Sequence, residues 1–156
     1  MIGRPRHTGR QARPRMRGQT LVEFALVAPI FFLILFSIID FGRYVYTVQI
    51  LNNAAREGAR YAIVHGSAGI PSSGDPAPGT TSSDPTGANV KAVVRRNAVA
   101  VVNSTASLVI TPVWPDGNGR GKTVTVSVSY PFKTLIPIVP LPPITVTGES
   151  TLVINN

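Results

Sequence analysis

A chain of 156 residues with a net charge of +8 and no cysteine has room for one small domain plus a membrane anchor, and it excludes disulfides, thiolate metal sites and thiol catalysis. A pI of 10.9 raises the question of nucleic acid, but Arg4, Arg6, Arg10, Arg13, Arg15 and Arg17 carry six of the charges, and the other 138 residues hold nine basic against seven acidic groups. The basicity thus belongs to a leader, which has no interleaved aromatics to stack on bases, and no nucleic-acid partner is expected.

Residues 1–18 form that leader. Rich in Arg, Gly, Pro and polar residues, they cannot build a core and are expected to be disordered on the cytoplasmic side. Residues 24–39 then carry no charge at all. Taken as 19–39, the apolar stretch falls within the roughly 17–25 residues a helix needs to cross a bilayer, but it now contains Glu23. A carboxylate at the centre of a membrane helix costs on the order of 2.5–3.5 kcal/mol, and less near the interface. Glu23 therefore either reaches water among the headgroups or has a function. The flanking arginines keep the N-terminus cytoplasmic and send the C-terminal part across, into the extracytoplasmic space. The run is longer than the roughly 7–15 residues of a secretory signal, and no small-residue cleavage site precedes Asp40.

The helical pattern does not stop with the span. Residues 40–65 contain no proline and repeat apolar side chains at Phe41, Tyr44, Val45, Val48, Leu51, Ala55, Ala59, Ala62 and Ile63, an amphipathic stripe. One helix over 19–65 is predicted, interrupted in sequence by Pro29 alone, where a kink is tolerated in a membrane if neighbours satisfy the freed carbonyl. Ala54, Ala55, Gly58, Ala59 and Ala62 would let another element approach closely. Arg56, Glu57 and Arg60 make a charged patch, with Glu57 and Arg60 spaced for an i,i+3 pair. Asp40 can pair with Arg43 or stay solvated, and the solvated reading is preferred.

Residues 66–87, rich in Gly, Pro, Ser and Thr, read as a mobile loop or linker; Asp75 and Asp84 within it do not have the spacing of a calcium loop. Residues 88–103 are a candidate second helix with Val90, Val93, Val94 and Ala98 on one face, although the valines also suit a strand. Residues 107–114 read as a strand, and 115–121, PDGNGRG, as a turn. Residues 122–130 alternate strictly, with Val124, Val126, Val128 and Tyr130 on one face and hydroxyls on the other, the signature of a half-buried antiparallel strand. Five prolines in 131–143 exclude a central strand there. Residues 144–154 return as a third strand, with Gly148 marking a bulge. The expected fold is α+β: a long N-terminal transmembrane and amphipathic helix packed on a small three-stranded antiparallel sheet, with residues 88–156 as the exported head.

Catalytic signatures are absent. His7 and His65 are far apart and lack adjacent carboxylates, so no metal site is expected. The nucleotide-binding, serine-hydrolase and zinc-protease motifs do not occur. Asn103-Ser104-Thr105 matches a glycosylation sequon by chance. No catalytic residue, no metal and no cofactor is assigned, and an enzyme is not expected.

Between the basic leader and the span stand Gly18, Gln19, Thr20, Leu21, Val22, Glu23 and Phe24. A glycine followed by Glu at the fifth position and an aromatic resembles the type IV prepilin processing motif. VEFALVAPIFF, a long helix and AAREGARYA together are similar to the TadE-like pseudopilins of tight-adherence (Flp-type) pilus systems. The resemblance implies a pilin-like architecture and a prepilin peptidase that cuts between Gly18 and Gln19. It implies that Glu23, with Phe24 beside it, acts in assembly by pairing with the new amine of a neighbouring subunit, and that Arg56, Glu57, Gly58 and Arg60 serve helix packing. Other pilins or pseudopilins, the assembly machinery and membrane lipid would be the partners. The head is larger than the very short major pilin of such systems, which points to a minor pseudopilin in the plasma membrane that enters or assists a pilus. The alternative is an unprocessed single-pass membrane protein that displays a small extracytoplasmic binding module.

Overall fold

The computed structural model describes residues 17–76, 78–99, 107–135 and 144–155. The leader up to residue 16, the far end of the expected second helix at 100–103, and the proline-rich stretch 136–143 lie outside the described residues. The chain divides into two compact units, one ending at Ser37 and the other beginning at Ile38. Helix α1 (Arg17–Val64) contains Pro29 and begins two residues before the expected start. It is followed by α2 (Ala88–Ala98), β1 (Val109–Val113), β2 (Thr123–Phe132) and β3 (Ile144–Val153). The strands form one antiparallel sheet in the order β1-β2-β3, and residues 38–64 of α1 pack on it, the expected α+β arrangement.

The alternation in β2 sets that packing. Val124, Val126 and Val128 point into the core, where they meet Leu51, Ala55 and Ala59 of α1 and Val90, Val94 and Ala98 of α2. The buried stripe of α1 is narrower than its apolar pattern. Tyr44, Val48 and Ile63 are partly buried, but Val45 lies on the flank and Phe41 stays 68% exposed. Tyr44 already meets Phe132, the last residue of β2, ring to ring at 5.7 Å, so Phe41 lies past the end of the sheet.

Two glycines let α1 come this close. A β-carbon on Gly148 would sit 2.5 Å from the carbonyl carbon of Leu51 and 2.6 Å from the nitrogen of Asn52. The helix backbone therefore rests directly on β3. The expected bulge at Gly148 is not there: it pairs with Val128 in an unbroken register from Phe132↔Ile144 to Thr123↔Val153, and the missing side chain serves the helix contact. At Gly58 the place of a β-carbon is taken by a methyl of Val94, so α2 lies against α1 there.

Strand ends differ from expectation where prolines are involved. β2 runs on through Pro131 to Phe132. The Ile154 N–H donates to the Lys122 carbonyl at 2.8 Å. Since backbone groups alternate along a strand, even-numbered residues of β2 and β3 face each other and odd-numbered residues of β2 face β1. Pairing with β1 ends at Val109↔Ser129, so Pro131 lacks its N–H on a side with no neighbour in the sheet. Pro112 similarly faces the outer edge of β1, where proline is tolerated.

The described residues of 66–87 are irregular but tied down. Asp84, 7% exposed, accepts the N–H groups of Ala88 and Asn89 at 2.8 Å each and the hydroxyls of Ser73 and Thr86 at 3.3 Å. It satisfies free donors at the start of α2, a task that Gly87, left-handed at φ 66° and without a side chain, cannot perform. Burial pushes the Asp84 carboxyl up, but the hydrogen bonds from Asn89, Ala88, Ser73 and Thr86 together outweigh it and hold the carboxyl below its ordinary range. The indole of Trp114 lies against Gly74 (φ 102°) and Gly87, where a side chain would be strained by the backbone and would collide with the ring. Asn118 completes the tie: its N–H donates to the Asp75 carbonyl, its own carbonyl accepts from Ser67, and its Nδ2 donates to the Ser73 carbonyl at 3.2 Å.

Asp84→Ala removes a buried helix cap and is expected to cost about 1–2 kcal/mol. Because the folded carboxyl titrates below its unfolded value of 3.8, that contribution is complete above this pH and is lost as the pH falls through the folded value. Urea unfolding of the detergent-solubilised chain should show the gap between wild type and variant narrowing only below pH 3.8. Gly58→Ala should destabilise by roughly 1–3 kcal/mol through overpacking. In the same assay, Gly58→Ala/Val94→Ala should lose less than the sum of the two single changes, as expected for residues in contact.

Candidate functional site

The first turns of α1 hold Gly18, Gln19, Glu23 and Phe24, all exposed. A β-carbon on Gly18 would meet nothing within 4 Å, so packing within the chain does not account for glycine there. Glu23 has no hydrogen-bond or ion-pair partner among the described residues. Gln19 and Glu23 stand one turn apart and line one shallow groove with Gly18, Val22 and Leu26. Phe24 lines another groove with Val27, Ala28, Phe31 and Phe32. Phe31 and Phe32 meet edge to face at 5.6 Å, and Phe32 stacks on Phe36 at 6.1 Å.

The stretch following Gly18 is long and apolar enough to cross a membrane, and none of its most apolar 18-residue window is buried. Leu21, Phe24, Leu26, Ile30 and Phe31 are each more than half exposed. A large aliphatic or aromatic side chain gains about 1.5–3 kcal/mol on leaving water, so this surface belongs in lipid or against other apolar helices. The helix suits a membrane anchor.

The charged residues further along α1 do not gather into one site. Gly58 is buried beneath α2, while Arg56, Glu57 and Arg60 point to solvent. The expected Glu57–Arg60 pair does not form; among the described residues the ion pair is Arg43–Asp40, at 2.7 Å. An exposed i,i+3 pair gains only tenths of a kcal/mol, too little to fix two long side chains. Asp40, by contrast, is not merely solvated. Besides Arg43, it accepts the Leu135 N–H with both carboxylate oxygens at 3.0 Å, and the Arg43 guanidinium lies 5.4 Å over the Phe132 ring. Sequence reasoning missed this tie because its partner is 95 residues away; the only local signal was the spacing of Asp40 and Arg43.

His65 Nδ1 lies 2.9 Å from the Tyr61 carbonyl, and its ring stacks on Tyr61 at 3.9 Å, which makes it part of the helix end. Among the described residues no three His, Cys, Asp or Glu side chains are grouped to hold a metal.

A family model described as TadE-like protein matches residues 18–60. The match begins at the glycine before the span and ends at Arg60, and it bears out the resemblance over that stretch. No curated protein and no solved structure matches the chain.

Asp40→Ala should release the segment after β2. Tryptic cleavage after Lys133 is expected to accelerate, with a stability loss of roughly 0.5–1.5 kcal/mol for the lost hydrogen bonds.

Proposed function

We propose, on the premise that residues 18–60 are a TadE-like segment, that the chain is a minor pseudopilin of a tight-adherence type IV pilus or a related secretion apparatus. In this reading it is a structural component and not an enzyme. The leader lies in the cytoplasm, the span in the plasma membrane and the head outside. A prepilin peptidase cuts between Gly18 and Gln19, where the absence of a side chain lets the backbone extend into a protease cleft.

The observation that carries the reading is Glu23, which has no partner among the described residues and stands one turn after Gln19 on an apolar helix that those residues leave exposed. In the free chain that carboxylate near hydrocarbon is a cost without return. In a bundle of like helices it meets the amine that cleavage creates on Gln19 of a neighbour. Such a pair is well compensated only when both members are present, and breaking one from either side costs about 3–5 kcal/mol. The pairing therefore favours subunits stacked in one register. The leader's arginines orient insertion and are removed when orientation is complete.

The test is the N-terminus of the protein recovered from membranes, read by intact mass. A chain beginning at Gln19 in cells with the peptidase and at Met1 in cells lacking it is the expected result, with Gly18→Leu blocking the cut. Glu23→Ala should leave insertion and cleavage intact and reduce recovery in the assembled apparatus by about tenfold or more, the equivalent of at least about 1.4 kcal/mol. A functional protein that retains Met1 and its arginines would instead be an unprocessed anchor for a binding module.

A further inference from the structure

Among the described residues β3 is an edge strand of ten residues with its outer side open. Its even-numbered residues turn their backbone groups toward β2, as the Ile154-to-Lys122 bond shows. Thr145, Thr147, Glu149, Thr151 and Val153 therefore point five N–H and five C=O groups away from the sheet. Among the described residues these groups have no partner, and all five residues are exposed.

Edge strands commonly carry a proline, a bulge, charged side chains (lysine above all) or a covering element that discourages another strand from adding. β1 has its outward-facing Pro112 and only five residues. β3 has no proline and no lysine and carries one charge, Glu149, and its pairing to β2 runs without a bulge. Among the described residues the two edges of the sheet thus differ: β1 is short and lacks a donor at Pro112, while β3 is twice as long and keeps all its outward donors.

From these observations we infer that the outer edge of β3 is a docking strand, which takes an extended segment of another polypeptide into the sheet by backbone pairing. The geometry selects the segment. Its residues on the outer face meet a row of hydroxyls, since Thr125–Thr151 and Ser129–Thr147 already form cross-strand pairs at 2.8 and 3.3 Å. Glu149 is the only charge on β3 and is held by the Ser127 hydroxyl at 3.2 Å, with no cation beside it among the described residues. A lysine or arginine on the incoming strand opposite Glu149 supplies the missing charge.

A second copy of this chain does not fit the edge. The α1 backbone rests on β3 at Gly148. Pairing β3 to β3 over that stretch would set two such helices about 4.8 Å apart laterally, where packed helices need about 8–10 Å. The occupant is a strand without a helix upon it, with small or β-branched residues on the side next to α1.

The probe is a labelled ten-residue peptide that alternates threonine and valine and carries one central lysine, titrated against the full chain in detergent micelles by fluorescence anisotropy. Saturable binding is expected, with slowed amide exchange at Thr145, Thr147, Glu149 and Thr151. Thr147→Pro removes one outward N–H at a position where an edge tolerates proline. It should weaken binding at least about tenfold while leaving the circular dichroism spectrum unchanged. Glu149→Lys, on a solvent-facing position, should reverse the preference from the lysine peptide to its glutamate counterpart. Absence of binding at about 1 mM peptide, or binding indifferent to Thr147→Pro, overturns the proposal. Self-association of the chain that Thr147→Pro abolishes overturns it in favour of a second copy.

Discussion

The contact of a helix backbone with a sheet, without side chains between them, is the constraint on which the head depends. Helices and sheets ordinarily meet through interdigitated side chains. Here Gly148 withdraws its side chain so that the α1 backbone at Leu51 and Asn52 can rest on β3, and Gly58 does the same for Val94 of α2. Ala54, Ala55, Ala59 and Ala62 extend the low relief along the same face of α1, and all are fully buried. A larger side chain at either glycine would push the helix outward and separate it from the valines of β2. Once α1 is seated, α2 has a wall to pack against, and Asp84 fixes its first turn through Ala88 and Asn89.

The same helix carries two kinds of surface, and side-chain size distinguishes them. Where the head covers α1, the fully buried hydrophobic residues are Ala54, Ala55, Ala59, Ala62 and a single leucine, Leu51, with the larger Tyr44, Tyr61 and Ile63 only partly buried at the margins. Where the described residues offer no cover, α1 instead carries Phe24, Leu26, Ile30, Phe31 and Leu33. Small residues suit a partner that approaches to backbone distance and arrives in one fixed orientation. Large flexible ones suit lipid, or neighbours that can slide before they settle. In the proposed pseudopilin role, Glu23 among the large residues would give such a surface a polar point of reference, in the way one buried polar group fixes register in a helix bundle. That is the physical content of the pseudopilin reading, and it concerns only the stretch that the family model covers.

Legibility in the sequence followed the range of the interaction. The helix, the strict alternation of β2 and the glycine turn before it were readable because each depends on residues a few positions apart. The span and Glu23 were readable because charge in an apolar run is conspicuous. Gly148 was read as a bulge, since glycine inside a strand is ambiguous until the element lying over it is known. The loop 66–87 has the composition of a linker; what holds it are backbone hydrogen bonds such as Ser73 to His65, the bonds to Asn118, the Asp84 carboxylate and the Trp114 ring against Gly74 and Gly87, and composition carries no trace of these. Asp40 was read as solvated because its second partner, Leu135, has no side-chain signal at all: a backbone N–H donates the bond.

The prolines sharpen this point. Five prolines in 131–143 argued against a strand, and the argument was sound for a residue with neighbours on both sides. Pro131 escapes it because β1 ends its pairing at Ser129, so the one donor that proline lacks faced no acceptor in the sheet. Pro112 escapes it on the outer edge of β1 for the same reason. Proline in a strand therefore reports which side of the backbone is unpaired. By that reading two of the sheet's open backbone positions are occupied by residues that cannot donate, while β3, open among the described residues and twice as long as β1, keeps every donor it has.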